Sequence, residues 1–281
     1  MTEHRRIVFV GPGVMAEAIV GGLIQRAGLQ PSAIVVAGPR SERLEELSKR
    51  HGVGTESDSR RAMAGASTVV LSIKPQTLDE VMRQLHGAVP PEALVLSIVA
   101  GARLLDLTRG LAHSAVVRSM PNTPAQVGEG VTVWTATPET TAAQRDDAKS
   151  ILTSCGQEIF VENEDYLDMA TALSGTGPAY VFLFMEAMVD AGVHLGFPRR
   201  IAEALVVQTV RGSVAFYESS PVHLARLRNQ VTSPGGTSAA ALYYLEKAGF
   251  RTALSRAIWA AYERSIQLGQ GRKRGSIDEG A

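Results

Sequence analysis

Only one cysteine, Cys155, occurs in the 281 residues. It cannot close an internal disulfide and has no neighbour for a Cys-x-x-Cys motif, so a reducing cytoplasm is the expected compartment. A charge bias is missing too. Lys+Arg 28 stand against Asp+Glu 28, a formal charge of zero, which removes the electrostatic footprint of a nucleic-acid or membrane-surface partner. None of the six histidines pairs at a metal-ligand spacing, so no metal is expected. No uninterrupted apolar run approaches transmembrane length. Arg5-Arg6 before an apolar stretch does not make a signal peptide, because Glu17 and a glycine turn break the apolar core that such a signal needs. What is present is ordinary for a globular chain: 45% hydrophobic and 20% charged residues, with length enough for two domains that each have a core.

The chemistry begins near the N-terminus. Ile7–Val10 reads as a buried parallel strand, stops at Gly11-Pro12-Gly13, and gives way at Val14 to an alanine-rich helix. Strand, glycine turn and helix form the dinucleotide fingerprint G-x-G-x-x-A, with Ala16 in the last place. Gly11 makes the tight turn, Gly13 has no Cβ to hold a pyrophosphate away, and Ala16 lets the helix pack closely on the strand. The first N–H groups of the helix then face the phosphates.

Ile34–Ala37 reads as the second strand, and Gly38-Pro39-Arg40-Ser41 follows it. An NAD enzyme usually places Asp or Glu here for the ribose hydroxyl. Arg40 and Ser41 instead offer a guanidinium fork and a hydroxyl to a 2′-phosphate, which favours NADP, although neighbouring Glu42 weighs against it and NAD stays open. Ser67–Ile73 runs as a strand into Lys74-Pro75, and Ala93–Ile98 into Val99-Ala100-Gly101. Both end at the carboxyl edge of a parallel sheet, where open α/β folds bind ligands, or are simply strand-ending turns. Met120-Pro121-Asn122-Thr123-Pro124 is a stiff turn with exposed polar groups, able to position a substrate. Gly130–Trp134, a helix over Thr140–Thr153 and Gln157–Val161 complete a doubly wound sheet. Asn163-Glu164-Asp165 is expected to cap the next helix and close the domain.

After Asp165 the strand signal fades. Helices are expected over Pro178–Leu195, Pro198–Tyr217, Pro221–Asn229, Pro234–Ala248 and Arg251–Leu268. The first is apolar round most of its circumference, as in a core or subunit interface, so a homodimer or larger oligomer is expected. Gly269–Ala281 reads as a polar, glycine-rich tail. The division is therefore 1–163 for dinucleotide binding, 164–268 for an all-helical domain and 269–281 for the tail. In Val231–Glu246, Ser233 is expected to cap a helix and Pro234 to sit in its first turn. Gly235-Gly236 leaves N–H groups uncovered, and Thr237 and Ser238 add hydroxyls, so this helix start suits a carboxylate.

Several motifs then stand in one order: GPGVMAEA, SIKP at Ser72–Pro75, RSMPNTPAQVGEG from Arg118, LSGTGPAYVF from Leu173, and QVTSPGGTSAAALYYLE from Gln230. Together they resemble the pyrroline-5-carboxylate reductases over Ile7 to about Leu268. The resemblance implies an N-terminal Rossmann domain, a C-terminal helical domain that dimerises, and larger rings of dimers. It implies NAD(P)H-dependent reduction of 1-pyrroline-5-carboxylate to L-proline. Gly11, Gly13, Val14, Met15 and Ala16 would hold the pyrophosphate and Arg40-Ser41 the adenosine 2′-phosphate, with NADPH the expected cofactor and NADH possible. Lys74, Pro75, Val99 and Ala100 would lie along the cofactor. Ser233, Gly235, Gly236, Thr237 and Ser238 would hold the substrate, with Asn122 a further contact and Ser238 the catalytic candidate. Four positions depart from the family pattern: Val14 for its Asn, Gly38-Pro39-Arg40 for Ser-Asn-Arg, Ser59 for a cofactor-site Asn, and Ser238 for Thr. The hydroxyl survives in the last. Other readings are a related cyclic imine reductase and a non-catalytic NAD(P)-sensing protein. A β-hydroxyacid dehydrogenase is disfavoured, because no lysine lies between Lys149 and Lys247.

Overall fold

The structure is a computed structural model that describes residues 5–220 and 222–270. Outside the described residues lie Pro221, an expected helix start, and nearly all of the expected 269–281 tail.

Eight strands form one sheet. They are β1 (Ile7–Val10), β2 (Ile34–Ala37), β3 (Gly54–Glu56), β4 (Thr68–Leu71), β5 (Leu94–Ser97), β6 (Val116–Met120), β7 (Gly130–Ala136) and β8 (Gly156–Phe160), in the order β3-β2-β1-β4-β5-β6-β7-β8. The order reverses between β1 and β4, which places the crevice of a doubly wound fold beyond the carboxyl ends of those strands. All pairings are parallel except β6 with β7. The link between those two is one short 3₁₀ turn, Thr123–Val127, too short for a crossover helix. Helices α1 (Val14–Gln25), α2 (Ser41–His51), α3 (Ser59–Ala62), α4 (Leu78–Leu85), α5 (Leu104–Leu111) and α6 (Ala142–Thr153) cover both faces. The period-2 alternation of β1 sorts its side chains: Ile7 and Phe9 join Ile19, Leu23, Leu47 and Ile151 in one core layer. Val8 and Val10 join Met63, Leu85, Leu107 and Leu111 in the other.

The chain continues as α7 (Tyr166–Ala170), a π turn over Thr171–Gly175, and α8 (Gly177–His194). The expected cap differs in detail. Asn163 Oδ1 accepts from the Asp165 N–H at 2.9 Å, a local turn, and Asp165 caps α7 without a side-chain bond. The Glu164 carboxylate is drawn elsewhere, to Arg118 and the Leu104 N–H. The π turn also joins α7 and α8 into one 29-residue helical run, Tyr166–His194, long and apolar enough by length and composition to cross a membrane. The run carries Asp168, Glu186 and Asp190, which is why it does not read as uninterrupted apolar sequence.

Among the described residues, 5–176 and 261–270 make one compact unit, and those of Gly177–Ala260 make the second. The second unit holds α8, α9 (Arg199–Ser219), α10 (Leu224–Gln230), α11 (Thr237–Lys247) and the first half of α12 (Phe250–Gly269). Its buried core is small: Val189, Ala202 and Val206, where α8 meets α9. Much of its apolar surface is open, including Phe182 at 63% and Leu183 at 67% exposure. A patch of this kind marks an interaction face.

The first unit contains a buried ion cluster. Arg118 on β6 is 2% exposed and Asp168 on α7 is 3% exposed. Arg118 Nη2 donates to Asp168 Oδ1 at 3.0 Å and Nη1 to Glu164 Oε1 at 2.9 Å, while the Ser265 hydroxyl of α12 donates to Asp168 at 2.7 Å. The cluster therefore binds a strand to the helix that follows the sheet and to the last turns of α12 (Phe250–Gly269). Removing one member leaves a buried charge short of partners. Asp168→Ala is expected to lower unfolding stability by about 3 kcal/mol, the low end for a broken buried pair because Glu164 stays. Ser265→Ala should cost about 1.5 kcal/mol, a hydrogen bond to a charged group. Urea denaturation at one fixed protein concentration reads both, and equal, near-zero losses would remove the cluster as an anchor.

Candidate active site

Sheet and α1 meet at Gly11-Pro12-Gly13. Gly11 has φ +106°, and a Cβ there would lie 2.7 Å from the Ser72 carbonyl oxygen. The Ser72 hydroxyl donates to the carbonyls of Gly11 at 2.8 Å and Val10 at 3.0 Å, so the end of β4 props the loop. Gly13 N–H turns back to the Gly11 carbonyl at 2.9 Å, a γ-turn about Pro12. Gly13 is the N-cap of α1 with φ −82°, ψ 172° and no side-chain cap. The N–H groups of the first turn are thus left for an anion, with the positive end of the helix behind them. Val14 is exposed, Met15 half-buried and Ala16 buried against the sheet. This cradle fits a dinucleotide pyrophosphate.

The other expected cofactor residues gather along the same carboxyl edge. β2 ends at Ala37 without an acid. Arg40 and Ser41, both exposed, open α2, and Ser59 opens α3 behind the Asp58 cap, just past the end of β3. Lys74 is exposed at the start of a 3₁₀ turn headed by Pro75, directly after β4. Val99 follows β5 with its side chain in the core, so only its backbone, with half-buried Ala100, faces that edge. Gly101 lets the end of α12 come close: a Cβ there would meet the Gly269 nitrogen at 2.8 Å.

In the second unit the Ser233–Gly236 turn mirrors the first loop. Gly236 N–H donates to the Ser233 carbonyl at 3.0 Å, and Gly235 has φ +71°. Pro234 ahead of a positive-φ glycine is the signature of a type II turn. α11 starts only at Thr237, with Gly236 as N-cap (φ −79°, ψ 170°) and no side-chain cap. This corrects the expectation that Ser233 caps the helix and Pro234 lies in its first turn: both are spent on the turn before it. The result is the Gly13 geometry again, an uncapped helix start, here flanked by the exposed Thr237 and half-buried Ser238.

Asn122 departs from the expectation of exposed polar groups. It is 9% exposed. Its Oδ1 accepts from the Val131 N–H at 3.0 Å, and its Nδ2 donates to the Ser174 carbonyl at 3.2 Å. The amide staples the Pro121–Pro124 turn to β7 and to the π turn, because buried main-chain groups there need partners.

Sequence reading also missed a cluster behind the α1 loop. Glu17 of α1 accepts from Arg43 and from Arg50 at 2.6 Å, and contacts His51 at 3.2 Å, all on α2. Burial alone would raise the Glu17 pKa, but the hydrogen bonds from Arg43 and His51, the Arg43 charge and the Arg50 bond outweigh it, and the carboxyl is held below its ordinary 4.5. A depressed folded pKa gives stability that is complete above the unfolded value and lost as pH falls through the folded one. Between about pH 5 and pH 3 the urea midpoint of the wild-type chain should therefore fall more steeply than that of Glu17→Gln. Parallel falls would show that Glu17 contributes nothing to the acid limb.

With this geometry in view, comparison with known proteins is specific. Residues 164–268 match the family profile described as pyrroline-5-carboxylate reductase dimerisation, and residues 6–101 match one described as NADP oxidoreductase, coenzyme F420-dependent. A pyrroline-5-carboxylate reductase of Synechocystis is 41% identical over 261 residues, 93% of this chain and 97% of that protein. The crystal structure of Plasmodium falciparum pyrroline carboxylate reductase with NADP bound superposes with a TM-score of 0.88 at 30% identity, covering 96% of this chain and 100% of that one. A pyrroline-5-carboxylate reductase structure from Coxiella burnetii gives 0.86 at 36% identity, over 95% and 99%. Identity at this level over nearly the full length of both chains, on a fold with two anion-ready helix starts, means that the chain belongs to the pyrroline-5-carboxylate reductase family.

Proposed function

We propose that this chain reduces 1-pyrroline-5-carboxylate to L-proline with NAD(P)H, using the two uncapped helix starts as its anion sites. Gly11, Gly13, Val14, Met15 and Ala16 receive the pyrophosphate. Arg40 and Ser41, with Ser59 beside them, receive the adenosine ribose and its 2′-phosphate. Lys74, Pro75, Val99 and Ala100 line the cofactor's path. The observation that carries the substrate assignment is the Ser233–Ser238 segment: a type II turn feeding a helix start that no side chain caps. A carboxylate accepting from the Thr237 and Ser238 N–H groups completes it, with the Ser233 hydroxyl, Gly235 and Gly236 on the turn side. Asn122 is a further substrate contact in this reading, its amide also holding the Pro121–Pro124 turn through Val131 and Ser174.

Bound NAD(P)H supplies a hydride to the carbon of the C=N bond. The chain's own work is placement. Holding the carboxylate fixes the ring, and the Ser238 hydroxyl, on the first turn of α11, donates a hydrogen bond to the ring nitrogen as it gains electron density. A serine hydroxyl is a weak acid, so Ser238 orients the nitrogen and the added proton comes through solvent. The non-catalytic sensor reading has no use for the second uncapped helix start.

The open apolar surface of α8 and α9 supports self-association through residues 164–268, as a homodimer that can assemble into rings. Light scattering at micromolar protein should give at least twice the monomer mass, and a monomer would overturn the assembly.

The decisive assay is oxidation of NADPH and of NADH with 1-pyrroline-5-carboxylate. Turnover is expected with a higher kcat/KM for NADPH, and a preference for NADH would remove Arg40 and Ser41 from cofactor selection. Ser238→Ala should lower kcat by about one to two orders of magnitude, on the scale of one hydrogen bond lost from a charge-developing transition state. An unchanged kcat would take Ser238 out of the mechanism, and no turnover in wild-type protein that binds cofactor would favour a sensor or another imine.

A further inference from the structure

We propose that Arg43 is a positioning residue for the dinucleotide, locking the peptide unit between Pro12 and Gly13 from which α1 starts. The inference rests on the reading of Gly11–Ala16 as the pyrophosphate cradle. Arg43 lies one turn into α2 with its side chain only 18% exposed. Its guanidinium reaches three segments at once. Nε donates to the Pro12 carbonyl at 3.3 Å, Nη1 to Glu46 of its own helix at 2.6 Å, and Nη2 to Glu17 of α1.

The Pro12 contact is the one that bears on ligand binding. A peptide unit is planar, so the Pro12 carbonyl and the Gly13 N–H move together. The Gly13 N–H is already held by the Gly11 carbonyl at 2.9 Å. Arg43 holds the opposite end of the same plane. With both ends fixed, the next N–H groups, of Val14, Met15 and Ala16, point in set directions before any phosphate arrives. Glycine on each side of Pro12 would otherwise let this plane turn at little cost. Preorganised donors bind more tightly because their ordering is complete before binding. The surroundings fit this role. Glu17 and Glu46 neutralise the guanidinium, so Arg43 is not a free cation for phosphate. Gly38 also packs at this point, since a Cβ there would lie 2.7 Å from Pro12 Cδ.

The planar fork explains why the residue is arginine. Lysine could keep the Glu17 ion pair but could not donate in three fixed directions. Arg43→Lys therefore separates loop positioning from simple helix–helix pairing. The test titrates NADPH and NADH into the full-length protein without substrate, followed by nicotinamide fluorescence, and pairs this with steady-state kinetics and thermal melting. Expected for both Arg43→Lys and Arg43→Met is a Kd raised about tenfold for both cofactors alike, with KM following and kcat within about twofold, on the scale of one lost charge-assisted hydrogen bond. The melting temperature of Arg43→Lys should stay near wild type, so this variant decides the matter if Arg43→Met is unstable. Glu46→Gln, which leaves the Pro12 contact in place, should leave Kd unchanged. An unchanged Kd in Arg43→Lys overturns the inference. So does weakening confined to NADPH, which would make Arg43 a reader of the 2′-phosphate, and so does a loss of kcat at constant Kd. Wild-type protein that binds neither cofactor overturns the underlying dinucleotide reading instead.

Discussion

The Arg118–Asp168 pair is the constraint on which the first unit depends. A guanidinium and a carboxylate at 2% and 3% exposure have lost nearly all their water, and such a pair is tolerable only when further bonds satisfy what the pair leaves over. Glu164 and Ser265 supply them. Because the partners come from β6, α7 and α12, satisfying one charge fixes the point at which the chain leaves the sheet and the point at which it returns. The return brings Gly269 against Gly101, at the loop beside Val99 and Ala100. A buried charge thus defines one wall of the edge where the proposed cofactor residues stand.

The two glycine N-caps show one backbone solution used twice. Gly13 and Gly236 have nearly the same backbone angles, −82°/172° and −79°/170°. Each follows a proline-containing turn with a positive-φ glycine, and neither helix has a side-chain cap. Ser, Thr, Asp or Asn at an N-cap stabilises a helix by about 1 kcal/mol relative to alanine, and the chain uses such caps elsewhere. Thr141 closes a capping box on α6, and Asp58 caps α3 through two N–H groups. α1 and α11 lack such a cap, like α2, α4, α5, α7 and α9, and what sets these two apart is a glycine N-cap behind a proline-containing turn.

This contrast explains which features could be read in the sequence. Branched runs such as Ile7–Val10 and Thr68–Leu71 are strands buried on both faces, so their composition alone carries the signal. Glycine and proline mark both turns for the same reason: their backbone needs are visible in the residue names. β3, Gly-Thr-Glu, has no apolar pattern, since it is a short edge strand held by pairing to β2. The start of α11 was placed three residues early because Ser-Pro resembles a cap and first turn, and only the hydrogen bond from Gly236 to Ser233 makes it a type II turn. Asn122 was visible as a polar residue in a stiff turn, but its burial depends on Val131 and Ser174, nine and 52 residues away. The Glu17 cluster and the Arg118 pair are likewise long-range, and no local pattern predicts them.

Cofactor choice turns on which cation remains available at the end of β2. Counting arginines on α2 would suggest a strongly positive corner, with Arg40, Arg43 and Arg50 all present. Arg43 and Arg50 are both paired with Glu17 and Glu46, and a paired guanidinium offers a phosphate little net charge. Arg40 has no ion pair among the described residues and stands exposed at the head of the helix, beside the Ser41 hydroxyl. An exposed cation gains only modestly from a single anion in water, but a 2′-phosphate carries up to two charges and several acceptors that a planar fork can engage together. The absence of any acid at Gly38-Pro39 matters as much, because a carboxylate there would repel that phosphate and accept from a free ribose hydroxyl instead. The proposed preference for NADPH thus rests on what this corner withholds from NADH, together with an exposed Arg40 that has no ion pair among the described residues.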